Sequence, residues 1–251
     1  ALVDLDEESL DKYGQWPWPR YLVADLARKI LDGNASVLGF DVVFAEPDNS
    51  SPKVVRDRLK KRFNIDVKME GLPGDVGDFD RLFAATLAGA KSRTILGCFM
   101  MPSDEPVMDV PAVDPHYRGY YYVKGMKGDD NLGNALMWAS GMTISIPELS
   151  AAAGNNAFFN AQPDNDNVVR RIPLLMAYGA ERAYPALAIE AVRMDQGIQM
   201  IKVDCEGPEI SSLSLKNIRI PTDSNGRLLV NFRTPTTGRG GKGFRTFPTY
   251  P

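Results

Sequence analysis

The sequence predicts an α/β domain in which a mixed, largely buried sheet is flanked by helices. Three observations carry that reading. An amphipathic helical stretch runs straight into a short, very apolar β-rich stretch, residues 20 to 44; the same succession returns at residues 78 to 101; and the second half alternates short β-branched runs with one further helical period. Helix, strand, helix, strand implies parallel neighbouring strands joined by a right-handed crossover.

Taken in order, Leu22, Val23, Leu26, Ala27, Ile30 and Leu31 recur at i, i+4 and i+8 in two adjacent rows and make one wide apolar helix face. Pro19 suits the first turn of this helix and Gly33 its end. Asp25 and Lys29 are spaced to pair on the polar face, worth about 0.3 kcal/mol. The run SVLGFDVVF, residues 36 to 44, is short, β-branched and aromatic, as expected of a strand covered on both faces. In the insertion that follows, VVRDRLKKRF predicts a short basic helix, either a solvated face or a surface for an anionic membrane. Asp78 can cap a helix whose apolar positions are Phe79, Leu82, Phe83 and Leu87, and RTILGCFMM, residues 93 to 101, reads as the next strand.

Residues 102 to 134 are rich in Pro, Gly, Asp and Tyr and predict irregular or loosely hairpinned chain. PELSAAA predicts a turn or two of helix. VVRRIPLLMAYG predicts a strand interrupted at Pro173 and then resumed. YPALAIEAVRM, residues 184 to 194, predicts a helix with Pro185 in its first turn. MIKV and NIRI read as strands, SNG at 224 to 226 as a turn, and LLVNF as the last strand.

Composition narrows the function classes. The 251 residues are 44% hydrophobic and 24% charged, within reach of a single domain over 1–251 with one large core or two modest ones. The 29 Lys and Arg against 32 Asp and Glu leave a formal charge of -3, which offers no electrostatic footprint for nucleic acid. No apolar run is long enough to span a bilayer, and ALVDLDEESLDKYG lacks the basic start and apolar centre of a signal peptide. A chain that opens at Ala1 and stops at Pro251 is expected to be a piece of a longer protein. Cys98 and Cys205 permit one pairing but define no disulfide framework, and Cys98, inside TILGCFMM, is expected to pack as a buried free thiol.

Catalytic motifs are thin. His116 is the single histidine, set in the Pro-flanked, Tyr-rich DPHYRGYYYV, without an HExxH or GxSxG partner motif. GRGGKG at 238 to 243 matches GxGxxG, but FRTFPTYP follows it, so no helix N-terminus can meet a pyrophosphate there; a surface loop is the expectation. No cofactor and no metal is called for. Carboxylates are more informative. Alternation places Asp41 on the face of Gly39 and Val43, and Asp48 follows at the carboxyl end of that strand, where parallel sheets gather ligands. A buried aspartate requires a partner, and Arg170 and Arg171 are the candidates to supply it. Either such a carboxylate is held structurally by local N–H groups or one arginine, or these residues form a site for a small polar ligand or cation. Trp16 and Trp18 either cover the core edge at the entry to the first helix or line a ligand mouth or partner surface.

Three ordered blocks carry a family resemblance. YGQWPWPR with GFDVVFAEPD, then FFNAQPDNDNVVRRIPLLMAY with YPALAIEAVRM, then GRLLVNFR with FPTYP together resemble the second type of CHASE domain, the cyclase and histidine-kinase associated sensory extracellular domain. They span Tyr13 to Pro251, with a weak match over 102 to 153. The resemblance implies a non-catalytic extracytoplasmic sensory domain of a membrane-anchored bacterial receptor, with a nucleotide cyclase or histidine kinase as output. Its expected partners are an unknown small ligand or an envelope protein, the membrane through segments outside this chain, and a second copy in a homodimer. The family brings no established ligand residues, so Asp41, Asp48, Arg170, Arg171, Trp16 and Trp18 stand on the residue reading alone. Asn167 stands where the family's PDxDG turn has glycine, and the chain stops before the family's closing strand. Two other readings remain open: a soluble α/β enzyme using Asp41 with Asp48 or Asp80 as acid and base or as Mg²⁺ ligands, and a dimerisation or docking module with an apolar patch around Trp16 and Trp18.

Overall fold

The computed structural model describes residues 1–73, 76–111, 116–126, 132–179, 182–233, 236–237, 243–244 and 248–250. In chain order the elements are β1 (Leu2–Val3), α1 (Glu7–Tyr13), α2 (Arg20–Asp32), β2 (Leu38–Phe40), α3 (Pro52–Phe63), α4 (Phe79–Gly89), β3 (Thr94–Ser103), β4 (Tyr120–Lys124), α5 (Leu132–Ala135), β5 (Met137–Thr143), α6 (Pro147–Ala152) and β6 (Asn155–Phe158). They continue with β7 (Arg171–Pro173), β8 (Leu175–Ala177), β9 (Ala183–Pro185), α7 (Leu187–Asp195), β10 (Met200–Glu206), β11 (Glu209–Leu215), β12 (Ile218–Pro221), β13 (Arg227–Leu229), β14 (Thr236–Thr237), β15 (Gly243–Phe244) and β16 (Thr249–Tyr250).

The strand β3 organises the molecule, and its sequence shows why. Residues Thr94 to Cys98 are all buried, as in a strand covered on both faces. This half pairs in parallel with β2 (Leu38 opposite Thr94) and with β6 (Ile95 opposite Asn155). From Phe99 to Met101 exposed and buried residues alternate, the register shifts between Met101 and Pro102, and this half pairs antiparallel with β5, Phe99 opposite Thr143. Where β6 ends, the Asn160 amide takes over: its Nδ2 donates to the Met100 carbonyl at 2.8 Å and its Oδ1 accepts the Met100 N–H at 2.9 Å. A side chain thus satisfies backbone groups that a strand would otherwise pair. Strands β2, β3, β5, β8 and β9 lie in that order, with β6 also on β3; a second mixed sheet has the order β12, β11, β10, β4.

Two apolar clusters flank β3. Val23, Ala24 and Ala27 of α2, Phe83 and Leu87 of α4, and Leu149 of α6 pack with Phe44 and Leu96, and the Phe40, Phe44 and Phe83 rings meet edge to face at 5.2 to 6.0 Å. Cys98 and Met100 enter the other cluster, with Trp138, Leu175, Met176, Tyr184, Ile189 and the inner face of the second sheet, Ile201, Val203 and Leu213. Gly97 sits where a Cβ would lie 2.5 Å from the Phe40 carbonyl and 2.7 Å from the Phe159 ring, so only glycine lets the strands close.

The α/β class, the α2 and α4 helices, the parallel β2 and β3 pair and the Asp78 cap, which accepts the Arg81 N–H at 3.3 Å, are as the sequence predicts. The strands are shared between two principal sheets instead of one. Several boundaries differ. The strand over 36 to 44 stops at Phe40, because Phe44 leaves the sheet to exchange bonds with the loop before α6: its N–H donates to Ser145 Oγ at 3.1 Å and its carbonyl accepts from Ile146 at 2.9 Å. Pro185 is not in a helix. It closes β9, opposite Leu175, and α7 starts two residues later; an edge strand tolerates proline. Asp25 pairs with Arg28, not Lys29. The 102 to 134 stretch contains β4, whose partner β10 lies 80 residues further along, and α1 and β11 are not among the elements the sequence predicts. Residues 238 to 242 of GRGGKG lie outside the described residues.

Candidate functional site

The buried carboxylates form a knot at the start of three helices. Asp48 is 4% exposed and accepts five bonds: the Arg20 N–H at 2.7 Å, the Ser50 N–H and hydroxyl at 2.7 Å each, and the Ser51 N–H and hydroxyl at 2.8 and 3.2 Å. Asp80 accepts the Asp48 N–H at 2.7 Å and lies 3.6 Å from Arg20 Nε. The Arg20 guanidinium stacks 4.5 Å over the Phe44 ring and donates to the Glu46 carbonyl. Ser51 Oγ accepts the Phe79 N–H, so the first residues of α2, α3 and α4 are fastened to one loop. Burial alone raises the Asp48 carboxyl, but the N–H and hydroxyl donors from Arg20, Ser50 and Ser51 outweigh it and leave it below the ordinary range. Asp80 goes the other way, raised chiefly by burial against the opposing Asp48 N–H and Arg20. Both Asp48 oxygens are held by donors of the same chain, and Asp80 Oδ1 faces Arg20 Nε at 3.6 Å as a buried ion pair without a hydrogen bond, so this cluster is a structural clamp.

A second group faces solvent. The turn after β6, the segment before β5 and the turn after β12 meet around a polar cleft of about 720 Å³. Its charged lining is Asp104, Asp164, Asp166, Arg170 and Arg227, with the amides Asn134, Gln162, Asn165 and Asn225 and the edge of Trp138. Acids and bases alternate along it. Asp166 holds Arg170 through two bonds of 2.8 Å, Asp164 stands 3.4 Å from Arg170 and 3.6 Å from Arg171, and Asp223 lies 3.8 Å from Arg171 and 2.8 Å from Arg227. The Arg170 bonds hold the Asp166 carboxyl below its ordinary range, and Asp166 holds Arg170 above its own.

Local backbone sets this arrangement. Asn167 takes φ 62°, the left-handed conformation that the family's glycine would supply and that asparagine tolerates. Its N–H closes on the Asp164 carbonyl at 2.8 Å, and this turn aims Asp164 and Asp166 at the arginines. Across the cleft Gly226 takes φ 74°, and the Asn225 amide donates to the Ala135 carbonyl at 2.9 Å.

The sequence-predicted residues therefore separate. Asp41 is exposed, past the end of β2, and joins none of the ion pairs among the described residues; its expected pairing with Arg170 and Arg171 is corrected, because the strand ends before the aspartate can turn inward. Asp48 is buried in the clamp with Arg20. Arg170 lines the open cleft and Arg171 supports it. Trp18 is 6% exposed in the α2 core, with its Nε1 donating to the Gly14 carbonyl, while Trp16 is 38% exposed at 6.3 Å from it. Neither tryptophan touches the cleft lining. Sequence reasoning missed Arg20 and Asp80 as partners of Asp48, although an arginine at the start of an apolar helix was a visible signal. It also missed Asp164, Asp166, Asp223 and Arg227, whose signal was the acid-rich PDND beside VVRR. His116 serves structure: its carbonyl accepts the Asn156 N–H at 2.7 Å, and its ring Nε2 accepts from Arg118. Both cysteines are buried free thiols, and burial pushes Cys98 up to about 12. Among the described residues no group of three His, Cys, Asp or Glu is placed to hold a metal ion, and no helix is long and apolar enough to cross a membrane.

Fold and cleft together define an α/β domain of mixed sheets with an open, ion-paired polar mouth. A profile of the CHASE2 domain matches residues 1–251, so the chain belongs to the CHASE2 family, extracellular sensory domains of receptors. No curated protein and no solved structure is significantly similar to it.

Proposed function

We propose that this chain is the signal-input domain of a membrane-anchored receptor with a nucleotide cyclase or histidine kinase output, and that it detects a small polar ligand in the cleft beside Arg170. The observation that supports this reading is the alternating ladder of Asp166, Arg170, Asp164, Arg171, Asp223 and Arg227 at an open mouth. Solvent-exposed ion pairs are each worth only about 0 to 1 kcal/mol. A ligand carboxylate can therefore displace Asp166 from Arg170 at low cost, and the neighbouring amides supply donors and acceptors for the rest of a zwitterionic or polyhydroxylated molecule. The ladder joins segments far apart in the chain, so a ligand that favours one arrangement of them shifts the domain between packings by its differential affinity.

The test is a thermal-shift screen of the chain against amino acids, organic acids and sugars. A saturating rise in Tm with one class, abolished by Arg170→Gln, is the expected result. A rise that survives Arg170→Gln and Arg227→Gln places the ligand elsewhere, and no rise with any class argues for an envelope protein as the signal.

A further inference from the structure

We infer that α3 and the segment that follows it, residues 52 to 72, form a docking surface for the anionic headgroups of a lipid bilayer. Six of the twelve α3 residues are basic, Lys53, Arg56, Arg58, Lys60, Lys61 and Arg62, against the single Asp57. All six are exposed, and α3 buries no residue. Its apolar residues Val54, Val55 and Leu59 are only half-buried, so packing holds the helix weakly, and so much like charge on it is unfavourable unless an anionic surface complements it.

The surroundings extend the charge. Lys53 and Arg56 meet Arg28 of α2 and Arg81 of α4 around a groove of about 810 Å³ whose one lining carboxylate is Asp78. Lys53 stands 3.7 Å from Asp78, Arg56 2.8 Å from Asp57, and Lys60 pairs with Asp66; these pairs are exposed and weakened by salt. The whole chain has a formal charge of -3, so the basic patch is a local concentration and not a general property.

Directly after the charges come apolar side chains left in water. Asn64 caps α3 in the left-handed conformation, and Phe63, Ile65, Met69 and Leu72 are 61, 48, 37 and 40% exposed. The helix is too polar to sink into the acyl boundary by itself. Charge brings it to the headgroups, and Phe63 and Ile65, on either side of the cap, supply the apolar contact, which is the two-signal combination that makes surface attachment stable. This depends on the receptor reading only for its setting beside a membrane.

The experiment is co-sedimentation of the 251-residue chain with phosphatidylcholine vesicles and with mixed phosphatidylcholine and phosphatidylglycerol vesicles. Binding is expected only to the mixed vesicles and should fall with salt. Each basic residue near an anionic surface contributes a factor of about five. Replacing Arg56, Lys60, Lys61 and Arg62 together by glutamine is expected to weaken binding at least about a hundred-fold with an unchanged melting curve. Phe63→Ser with Ile65→Ser should remove the part that persists at high salt. Absence of binding to mixed vesicles, or equal binding by the charge variant, overturns the proposal. Retention on heparin without vesicle binding also overturns it, in favour of a polyanionic macromolecule. Arg170→Gln should leave vesicle binding intact, so failure of the ligand cleft and failure of lipid docking give different results.

Discussion

Asp48→Ala tests the clamp that holds three helices to one loop. The substitution removes five bonds to a carboxylate, two of them from the Arg20 N–H at 2.7 Å and the Ser51 N–H at 2.8 Å, both in buried residues. The Ser50 donors are at an exposed residue and rehydrate, so they contribute little to the loss. Arg20 keeps Asp80 at 3.6 Å but loses the weaker of its two carboxylate neighbours while remaining buried. Breaking one partner of a buried ion cluster costs about 3 to 5 kcal/mol, and for a chain of this length that lowers Tm by about 6 to 20 °C. Urea unfolding followed by circular dichroism measures it. A loss under about 1 kcal/mol would falsify the clamp. The acid limb is a second readout. Asp48 lies below its unfolded value, so the stability it contributes is present above about pH 4 and is lost as pH falls through its lower folded value. Asp80 is raised and has the opposite sign, since its ionisation weakens the fold as pH rises through its folded value. The variant should therefore lack the share of the parent's acid destabilisation below about pH 4 that Asp48 contributes.

Two further substitutions separate surface from core. Asp41→Ala should change the unfolding free energy by less than about 0.5 kcal/mol, because the residue is exposed beyond β2; a larger loss in the same urea titration would restore it as a buried partner. Gly97→Ala should cost about 3 kcal/mol or more, since its Cβ would meet the Phe40 carbonyl at 2.5 Å, whereas Gly77→Ala, with nothing within 4 Å, serves as the near-neutral control. Equal melting temperatures for the two would show that β2 and β3 can separate without penalty.

Periodicity along the chain fixed the local elements. The i, i+4, i+8 rows of α2, the Asp78 cap of α4 and the apolar run of β3 are each decided by neighbours in sequence, because helix faces and capping bonds reach only three or four residues. The family blocks likewise depend only on order, and the CHASE2 resemblance they carry needs no knowledge of contacts. What could not be read was every feature resting on distant partners. Tyr120 to Lys124 looks irregular by composition and becomes β4 because β10 offers it a ladder 80 residues away. Tyr184 and Pro185 look like the start of a helix and become β9 because Leu175 and Met176 pair with them. Asp41 and Asp48 look alike in sequence, seven residues apart in one apolar stretch. Ser50 and Ser51 lie within three residues of Asp48 and their bonds to it are local, but only tertiary structure brings the Arg20 N–H and the Asp80 carboxylate, 28 and 32 residues away, onto Asp48 and buries it, while Asp41 is left in solvent.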